Sequence, residues 1–345
     1  MDESSDVRQS QGPPKPAPRR RLRGSVAIGA CLYLGLLLAV WAFLFAAGDR
    51  WWLGTLLLFG PRWLWWLPML VLAPAACLWR PRALGILTAA AVVALGPLMG
   101  LHFSWHVAPH VPGAPRLRLL TCNVHSSALD RHALALQIAQ AQPDVVALQE
   151  WRPQFQRELF GSGWYCLTGG EIFLASRYPI IRPGEVVGPE APNEGFAVRC
   201  ELVTPAGLVP FFDVHLASPH TSFEAVLGAG RAGREQVREN IAERRRESET
   251  LSRSAAEAGP AAVLAGDFNL LRDSAIYRQW WTGFADAFWS AGSGFGYTYY
   301  AGGTAVRIDH VLTGKGWRCT KCQVQPSVGS PHRPLLVDLE WVGGK

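Results

Sequence analysis

The stretch Ala261-Ala262-Val263-Leu264-Ala265-Gly266-Asp267-Phe268-Asn269 is an apolar run that ends in two polar side chains. The run is short, follows Gly259-Pro260 and precedes polar residues, which predicts a buried strand. Strand geometry would place Asp267 and Asn269, two positions apart, on the same face. A carboxylate binds a hard cation or holds a proton, and an amide donates a hydrogen bond to a phosphate oxygen. The pair suits phosphoryl chemistry at a magnesium ion, with an ordinary strand-end turn as the alternative interpretation.

Further apolar segments also predict strands with a polar side chain at or near one end; they are residues 117–124, 143–150, 211–216, 307–312 and 335–337. In chain order, the polar residues associated with all the predicted strands are Asn123, Glu150, His215, Asp267 with Asn269, Asp309 and His332. Glu150 is the strongest candidate metal ligand, because a carboxylate at the end of a buried strand is costly unless a cation or hydrogen bonds hold it.

This ordered set resembles the endonuclease/exonuclease/phosphatase superfamily, which includes deoxyribonucleases, abasic-site endonucleases, sphingomyelinases and inositol polyphosphate phosphatases. The resemblance extends over about residues 116–341 and rests on six motifs in order. It implies an α+β fold, a four-layer α/β/β/α sandwich of two mixed β-sheets. It also implies a metal-dependent phosphodiesterase or phosphatase that activates water at a Mg²⁺ site, with Mn²⁺ as an alternative ion. A nuclease of the same family is an alternative function.

The resemblance assigns roles to these residues. The predicted catalytic set is Asp267, His332, His215, Asn269 and Asp309; the substrate-binding set is Asn123, Asn269 and His215; and the metal ligands are Glu150, Asn123 and Asp309. Magnesium keeps most of its waters, so Glu150 with help from Asn123 or Asp309 suffices. Asn269 and His215 would donate hydrogen bonds to the phosphoryl oxygens. Asp267 and His332 are both candidates to activate water.

One position departs from the family pattern. The family usually closes with Ser-Asp-His, whereas this chain has Ser330-Pro331-His332. In the family that aspartate supports the catalytic histidine, and proline cannot do so. Asp309 is the predicted replacement, and the loss favours Asp267 as the residue that activates water. The alternative is a degenerate site, in which case the protein would be a membrane-anchored binding protein on a decayed scaffold.

The first hundred residues are far more apolar than the rest. Residues 26–47, 63–79 and 83–101 form runs of 22, 17 and 19 residues without a charged side chain. Such lengths predict about three transmembrane helices, and the length and repetition exclude a simple secretory signal. Residues 51–59 are apolar but short, and their tryptophans suit the membrane interface. The chain is therefore identified as a membrane-anchored member of bacterial type, with the lipid bilayer as a partner.

Arginines predict the orientation of these spans. Arg19, Arg20, Arg21 and Arg23 precede the first span, and Arg80 and Arg82 lie between the second and third. The positive-inside rule places both groups in the cytoplasm, so three spans put the C-terminal domain on the opposite face. If residues 51–59 crossed separately, the domain would be cytoplasmic instead.

Charge is distributed unequally along the chain. Residues 1–115 contain 10 Lys/Arg and 4 Asp/Glu, which is the whole net charge of +6, and residues 116–345 contain 23 of each. A neutral domain lacks the field that strong binding to a nucleic-acid backbone requires. The predicted substrate is a phosphoester, with a lipid headgroup or small phosphoester favoured over nucleic acid. The cluster Arg244-Arg245-Arg246 is interleaved with glutamates and predicts a solvated helix face.

These features give a predicted map of the chain. Residues 1–25 are a disordered cytoplasmic tail, residues 26–106 the transmembrane region, residues 107–115 a linker and residues 116–345 the catalytic domain. Cys319 and Cys322 form a CxxC motif without a second pair, which argues against zinc and leaves a local disulfide open. Four other residues have weaker assignments: His310 is expected to point away from the site, and His125, Asn193 and Arg199 are undecided.

Overall fold

A computed structural model describes residues 18–105, 109–188 and 196–343 of the 345-residue chain. The chain divides into two compact units. The first comprises the described part of Met1–Val40 together with Trp63–Leu98, and the second comprises Trp41–Arg62 with the described part of Met99–Lys345. The segment between the first two apolar runs therefore groups with the C-terminal part of the chain.

The N-terminal region is helical. Its α-helices are α1 (Pro18–Ala47), α2 (Trp52–Phe59), α3 (Leu67–Trp79) and α4 (Leu84–Val93), joined in part by the 3-10 turns Arg62–Trp66 and Pro81–Ala83, with α4 continued by the π-helical turn Ala94–Leu98. Within the described residues, three helical stretches are long and apolar enough to cross a membrane, namely Leu22–Ala47, Arg62–Trp79 and Pro81–Leu98. In the first unit the Tyr33 hydroxyl donates to the Trp65 carbonyl at 2.7 Å, which links α1 to the turn before α3.

The second unit is built mainly from β-strands. The described strands are β1 (His102–Phe103), β2 (Arg116–Asn123), β3 (Val145–Gln149), β4 (Tyr165–Gly169), β5 (Ile172–Ser176), β6 (Ile180–Val187), β7 (Ala197–Thr204), β8 (Gly207–His215), β9 (Val263–Asp267), β10 (Ala285–Asp286), β11 (Ser293–Gly294), β12 (Tyr299–Ala301), β13 (Thr304–Val306), β14 (Asp309–Thr313), β15 (Trp317–Val324) and β16 (Leu335–Trp341). Its later helices are α5 (Arg131–Ala141), α6 (Gln156–Leu159), α7 (His220–Glu257), α8 (Ala275–Trp280) and α9 (Ala287–Ala291).

Two six-stranded sheets form the framework of this unit. Their strand orders are β15-β16-β2-β3-β5-β4 and β10-β14-β9-β8-β7-β6. Each sheet contains one parallel pair at its centre, β2 with β3 and β8 with β9, and the other pairings are antiparallel. Two short ribbons, β1-β11 and β12-β13, complete the strand pairing.

The second unit has four layers, in which two sheets pack against each other and helices cover their outer faces. The inner faces of the two sheets share one core that includes Leu119, Val145, Phe211, Val263 and Val311. The next residues along the same strands face outward, so Leu120 and Val146 pack against Leu134 of α5. Phe212 and Leu264 pack in the same way against Val237 and Leu251 of α7. The α+β class and the four-layer sandwich of two mixed sheets are thereby confirmed.

The structure tests two expectations from the sequence, the exposure of Arg244 and the pairing of Cys319 with Cys322. Arg244 of α7 is fully buried rather than solvated, so the prediction of a solvated face is wrong for this residue. The helical spacing of Arg244 from glutamates did not predict its burial, because α7 buries one side of the helix, including Arg244, against the sheet. Cys319 and Cys322 are both free, as are the other described cysteines.

Candidate active site

The two parallel strand pairs bring the polar strand ends together. Parallel strands end at the same edge of a sheet, so Asn123 lies beside Gln149 and Glu150 follows directly. In the facing sheet His215 lies beside Asp267 in the same way. Strand β14 runs antiparallel to β9 and begins where β9 ends, which pairs Asp309 with Asp267. The residues predicted from separate motifs therefore meet at one edge of the sandwich.

Gly266 permits the close approach of the central strands at this edge. It has a φ of +143°, and a Cβ at this position would lie 2.0 Å from the carbonyl oxygen of Val214 on β8. Any other residue would push β9 away from β8. The glycine of the GDFN motif is thus required so that Asp267 and His215 end side by side.

Asn123 connects two carboxylates across the site. Its amide nitrogen donates to Glu150 Oε1 at 2.8 Å and to Asp267 Oδ2 at 3.1 Å, so the two acids converge on one group. Its amide oxygen accepts from the backbone nitrogen of His125 at 3.0 Å, which fixes the orientation of the amide. The imidazole of His125 contacts Glu150 Oε2 at 3.0 Å.

His332 is held by Asp309 on one side. Its Nδ1 lies 3.0 Å and 3.2 Å from the two Asp309 oxygens, and both residues are buried. Its Nε2 lies 3.7 Å from Asp267 Oδ2. The ring of Tyr299 packs edge-on against the imidazole with 4.8 Å between centroids. The Ser330 hydroxyl fixes the loop, because it donates to the Asn123 carbonyl at 2.7 Å and accepts from His332 N at 3.1 Å.

His215 and Asn269 complete the group. His215 Nε2 lies 3.8 Å from Glu150 Oε1 and 4.0 Å from Asp267 Oδ2, and its side chain is partly exposed. Asn269 donates from its side-chain amide to the Leu216 carbonyl at 2.8 Å, and its backbone nitrogen donates to Asp267 Oδ1 at 2.9 Å. Asn269 is almost fully buried, so the body of its side chain belongs to the wall of the site.

Three residues at this edge have a left-handed backbone. The φ values are 40° at His125, 51° at Glu150 and 49° at Asn269. Residues other than glycine adopt such angles rarely, and they concentrate where a side chain must be aimed. Each of the three follows the end of a strand, so the turn redirects its side chain into the site.

The electrostatics of the site follow from burial among opposite charges. Burial alone would raise the pKa of Glu150, but the Asn123 hydrogen bond and the neighbouring histidine charges hold that pKa below its usual value. Burial raises the pKa of Asp267, since the attraction of His332 only partly offsets it. Burial would lower the pKa of His332, but the carboxylates of Asp309 and Asp267 raise it to about 9.

Comparison with known proteins identifies the class. The model of the endonuclease/exonuclease/phosphatase family matches residues 120–332, and the chain belongs to this family. Members of the family are phosphoester hydrolases, both nucleases and phosphatases, so the predicted resemblance is confirmed. A search of curated proteins finds no match.

Solved structures share the fold at low sequence identity. The endonuclease/exonuclease/phosphatase from Beutenbergia cavernae DSM 12333 is 18% identical with a TM-score of 0.50, covering 67% of this chain and 72% of the other. A humanized D. rerio TDP2 is 16% identical with a TM-score of 0.52, covering 65% and 99%. The enzyme of the same description from Bacteroides vulgatus is 17% identical with a TM-score of 0.51, covering 66% and 99%.

Family members typically depend on a divalent metal ion, and the donor set here fits one. Donor atoms of Asp267, Asp309 and His332 all lie within 4.8 Å of one another. Glu150 adjoins this group through the bridging amide of Asn123. Three carboxylates that converge in a largely buried site are mutually repulsive unless cations offset their charge. Carboxylate and amide oxygens are ligands that hard divalent ions prefer.

The structure also places the residues whose roles were undecided. His125 contacts Glu150 and so belongs to the site, although only its position after Asn123 in the sequence pointed to it. Tyr299 was missed, because an aromatic run such as 297–300 ordinarily indicates core packing. His310 is buried and contacts the Leu270 carbonyl, as expected for a residue that points away. Arg199 stacks near the Phe212 ring, and Asn193 lies outside the described residues.

Proposed function

We propose that this protein is a membrane-anchored phosphodiesterase or phosphatase that uses Mg²⁺ to hydrolyse a phosphoester with water. The observation that carries the proposal is the bridge from Asn123 to both Glu150 and Asp267, beside the Asp309–His332 pair. A site with these acids, amides and histidines in contact has the groups that phosphoryl transfer needs. The intact Asp309–His332 contact also supports an active enzyme over a decayed scaffold.

The metal ion, with Mn²⁺ as the alternative, would be held by Glu150 and would supply positive charge to the phosphoryl group. Asn123, also predicted as a ligand, donates from its amide nitrogen to Glu150 and Asp267 and so would position these two carboxylates. The sequence predicts two roles for Asp309, as a metal ligand and as the support of His332. Its two oxygens lie 3.0 Å and 3.2 Å from His332 Nδ1, which favours the second role. His332, held between two carboxylates, would donate from Nε2 to a phosphoryl oxygen.

Asp267 would orient the attacking water and accept its proton. Its Oδ1 already accepts from Asn269 N and its Oδ2 from Asn123, so the carboxylate is fixed before substrate arrives. A fixed acceptor is effective because it needs no reorganisation in the transition state. His215, which is partly exposed beside Asp267, would donate to the phosphoryl group, as would the amide of Asn269.

Two observations support a proposal for the membrane side of the catalytic domain. Helix α2 has 8 residues and is too short to span a bilayer, and residues 48–62 contact the catalytic domain within one compact unit. These features support a location of residues 48–62 and the C-terminal domain on the same side of the membrane. Together with the arginines before the first span, they favour an extracytoplasmic catalytic domain.

The charge of the domain bears on the substrate. Residues 116–345 have equal numbers of acidic and basic residues, which gives no broad positive field for long nucleic acids. A lipid headgroup or a small extracytoplasmic phosphoester is therefore favoured over nucleic acid.

A hydrolysis panel on the full-length protein in detergent tests the function. The panel covers bis(p-nitrophenyl) phosphate, phospholipids, DNA and RNA, each with Mg²⁺, with Mn²⁺ and with EDTA. We expect metal-dependent hydrolysis of at least one phosphoester and loss of activity in EDTA. Hydrolysis that is unaffected by EDTA would contradict the metal assignment, and no hydrolysis of any member would contradict the enzyme assignment.

Glu150→Gln provides the residue-level test of the same proposal. The substitution keeps the shape of the side chain and removes its charge, so Mg²⁺ affinity and turnover should fall together while the fold persists. The matched control is Glu158→Gln, because Glu158 is a half-exposed residue whose pairing with Arg131 lies at the surface. Full activity in Glu150→Gln would contradict its role as a metal ligand.

A further inference from the structure

The segment between α1 and α2 makes a tight turn with a defined shape. The backbone nitrogens of Arg50 and Trp51 both donate to the Ala47 carbonyl at 3.0 Å. A Cβ on Gly54 would lie 2.3 Å from the same oxygen, so α2 packs directly on the end of α1. Asp49 at the tip has a left-handed φ of 55°, which aspartate tolerates better than most residues. The turn therefore presents the Asp49 side chain in one direction.

Asp49 forms a completely buried ion pair with Arg244 of α7. Asp49 Oδ1 lies 2.8 Å from Arg244 Nη2, and both side chains have no exposed surface. A buried charge without its partner is destabilising by far more than a surface ion pair stabilises. Arg244 therefore depends on a residue that lies between two candidate membrane spans.

Arg244 also contacts the candidate active site. Its Nη1 donates to the backbone carbonyl of Asn269 at 3.3 Å, and its Nε donates to Asn240 Oδ1 at 3.0 Å. Asn240 in turn donates to the Ser218 carbonyl at 2.9 Å, in the segment that follows the strand of His215. The guanidinium thus joins Asp49 to the loop that carries Asn269.

Further contacts hold residues 41–62 against the same domain. Ala275 N donates to the Gly48 carbonyl at 3.2 Å, and Arg278 donates to the carbonyl of Phe45 at 2.6 Å. Arg62 pairs with Asp273 at 3.1 Å. Since backbone and side-chain contacts both occur, the turn is fixed from several directions and behaves as part of the domain.

We propose that Asp49 and Arg244 are positioning residues for the active site. Asp49 supplies the buried negative charge that holds Arg244, and Arg244 donates to the backbone carbonyl of Asn269, which fixes the loop that carries the Asn269 side chain. Its effect on turnover rests on the hydrolase function proposed above, whereas its effect on the Asn269 loop does not. The connection between the first two spans is in this sense a component of the catalytic site.

The test compares variants of the full-length protein in detergent. Asp49→Asn removes the buried charge, and Arg244→Lys keeps a positive charge but removes the fork that reaches Asn269. The matched control is Arg234→Lys, the same substitution on the same helix, where the guanidinium lies over Trp52 at 5.0 Å and is exposed. Hydrogen–deuterium exchange of residues 266–272 is measured in all variants, with turnover and KM on the substrate found by the panel.

We expect exchange at residues 266–272 to rise roughly tenfold in Asp49→Asn and Arg244→Lys, and to stay at the parent level in Arg234→Lys. Turnover should fall roughly tenfold or more in the first two, with little change in KM, because a small displacement near the reacting group is costly. Parent-like exchange in a folded Asp49→Asn or Arg244→Lys would overturn the proposal. An inactive parent with the expected exchange pattern would instead reject only the hydrolase function.

Discussion

His332 takes its orientation from Asp309, a residue 23 positions away in sequence, rather than from its neighbour. Both Asp309 oxygens face Nδ1, and the Thr298 hydroxyl accepts from the Asp309 backbone nitrogen at 3.1 Å. Pro331 makes a different contact. Its backbone carbonyl accepts a hydrogen bond from Tyr300 N at 2.9 Å, which holds the loop before His332 against β12. The side chain that the family usually has at position 331 is therefore not needed to hold the imidazole through Nδ1.

We predict a large effect for one substitution near His332 and a small effect for another. Asp309→Asn should lower turnover by about 10²-fold or more, because the amide cannot stabilise a charged imidazole as the carboxylate does. Pro331→Asp should leave turnover within about threefold of the parent, since Asp309 already provides the support. Steady-state kinetics on both variants check this. A large gain in Pro331→Asp would mean that Asp309 is an inadequate replacement.

Much of the site at residue scale could be predicted from sequence, because the side chains follow recognisable strands in a fixed order. Asn123, Glu150 and Asp267 each come at the end of an apolar run, so the sequence indicates that all three lie at strand ends. Asp49 and Arg244 could not be predicted as a pair. They are 195 positions apart, and a charged residue beside a membrane span ordinarily indicates orientation or solvent exposure.

Strand β9 determines how the polar residues of the site are aligned. It pairs in parallel with β8 and antiparallel with β14, so one strand aligns His215 and Asp309 with Asp267. The strand order was beyond sequence reasoning, because pairing between distant segments depends on packing and not on local pattern. The strand itself was predicted well, since its run of small and branched residues is bounded by a turn on each side.

We expect Gly266→Ala to destabilise the domain by about 3 kcal/mol or more, since the added methyl would overlap the Val214 carbonyl on β8. The matched control is Gly283→Ala, where an added Cβ would meet nothing within 4 Å. Thermal unfolding in detergent, followed by tryptophan fluorescence, measures both. Equal midpoints for the two variants would show that β9 can move away from β8 at little cost.

The net charge of +6 resides entirely in the first 115 residues. Arginines in this region flank apolar helices, which is the pattern that orients membrane proteins. The residues that follow the first candidate span belong to the same compact unit as the described part of the C-terminal β-sheet region. Sequence could indicate the spans but could not decide whether residues 51–59 crossed the membrane, because hydropathy does not report packing partners.

A topology measurement checks the proposed side of the domain. A reporter that is active only outside the cytoplasm, fused after Lys345, should be active in cells, and a reporter that requires the cytoplasm should be inactive at the same position. The first reporter fused after Gly60 should also be active, because residues 48–62 and the domain are proposed to share one side. Activity at Gly60 without activity at Lys345 would contradict the three-span arrangement.

The Asp49–Arg244 pair has a consequence for the order in which the protein is made. Asp49 is synthesised 195 residues before its partner, and ribosomes add about 5–20 residues per second, so about 10–40 s separate the two. During that interval the Asp49 carboxylate lacks the arginine that neutralises it in the folded protein. The domain can close around the turn only after Arg244 has emerged from the ribosome. The proposed support of the Asn269 loop by Arg244 therefore forms only after α7 has been synthesised, long after the turn that carries Asp49.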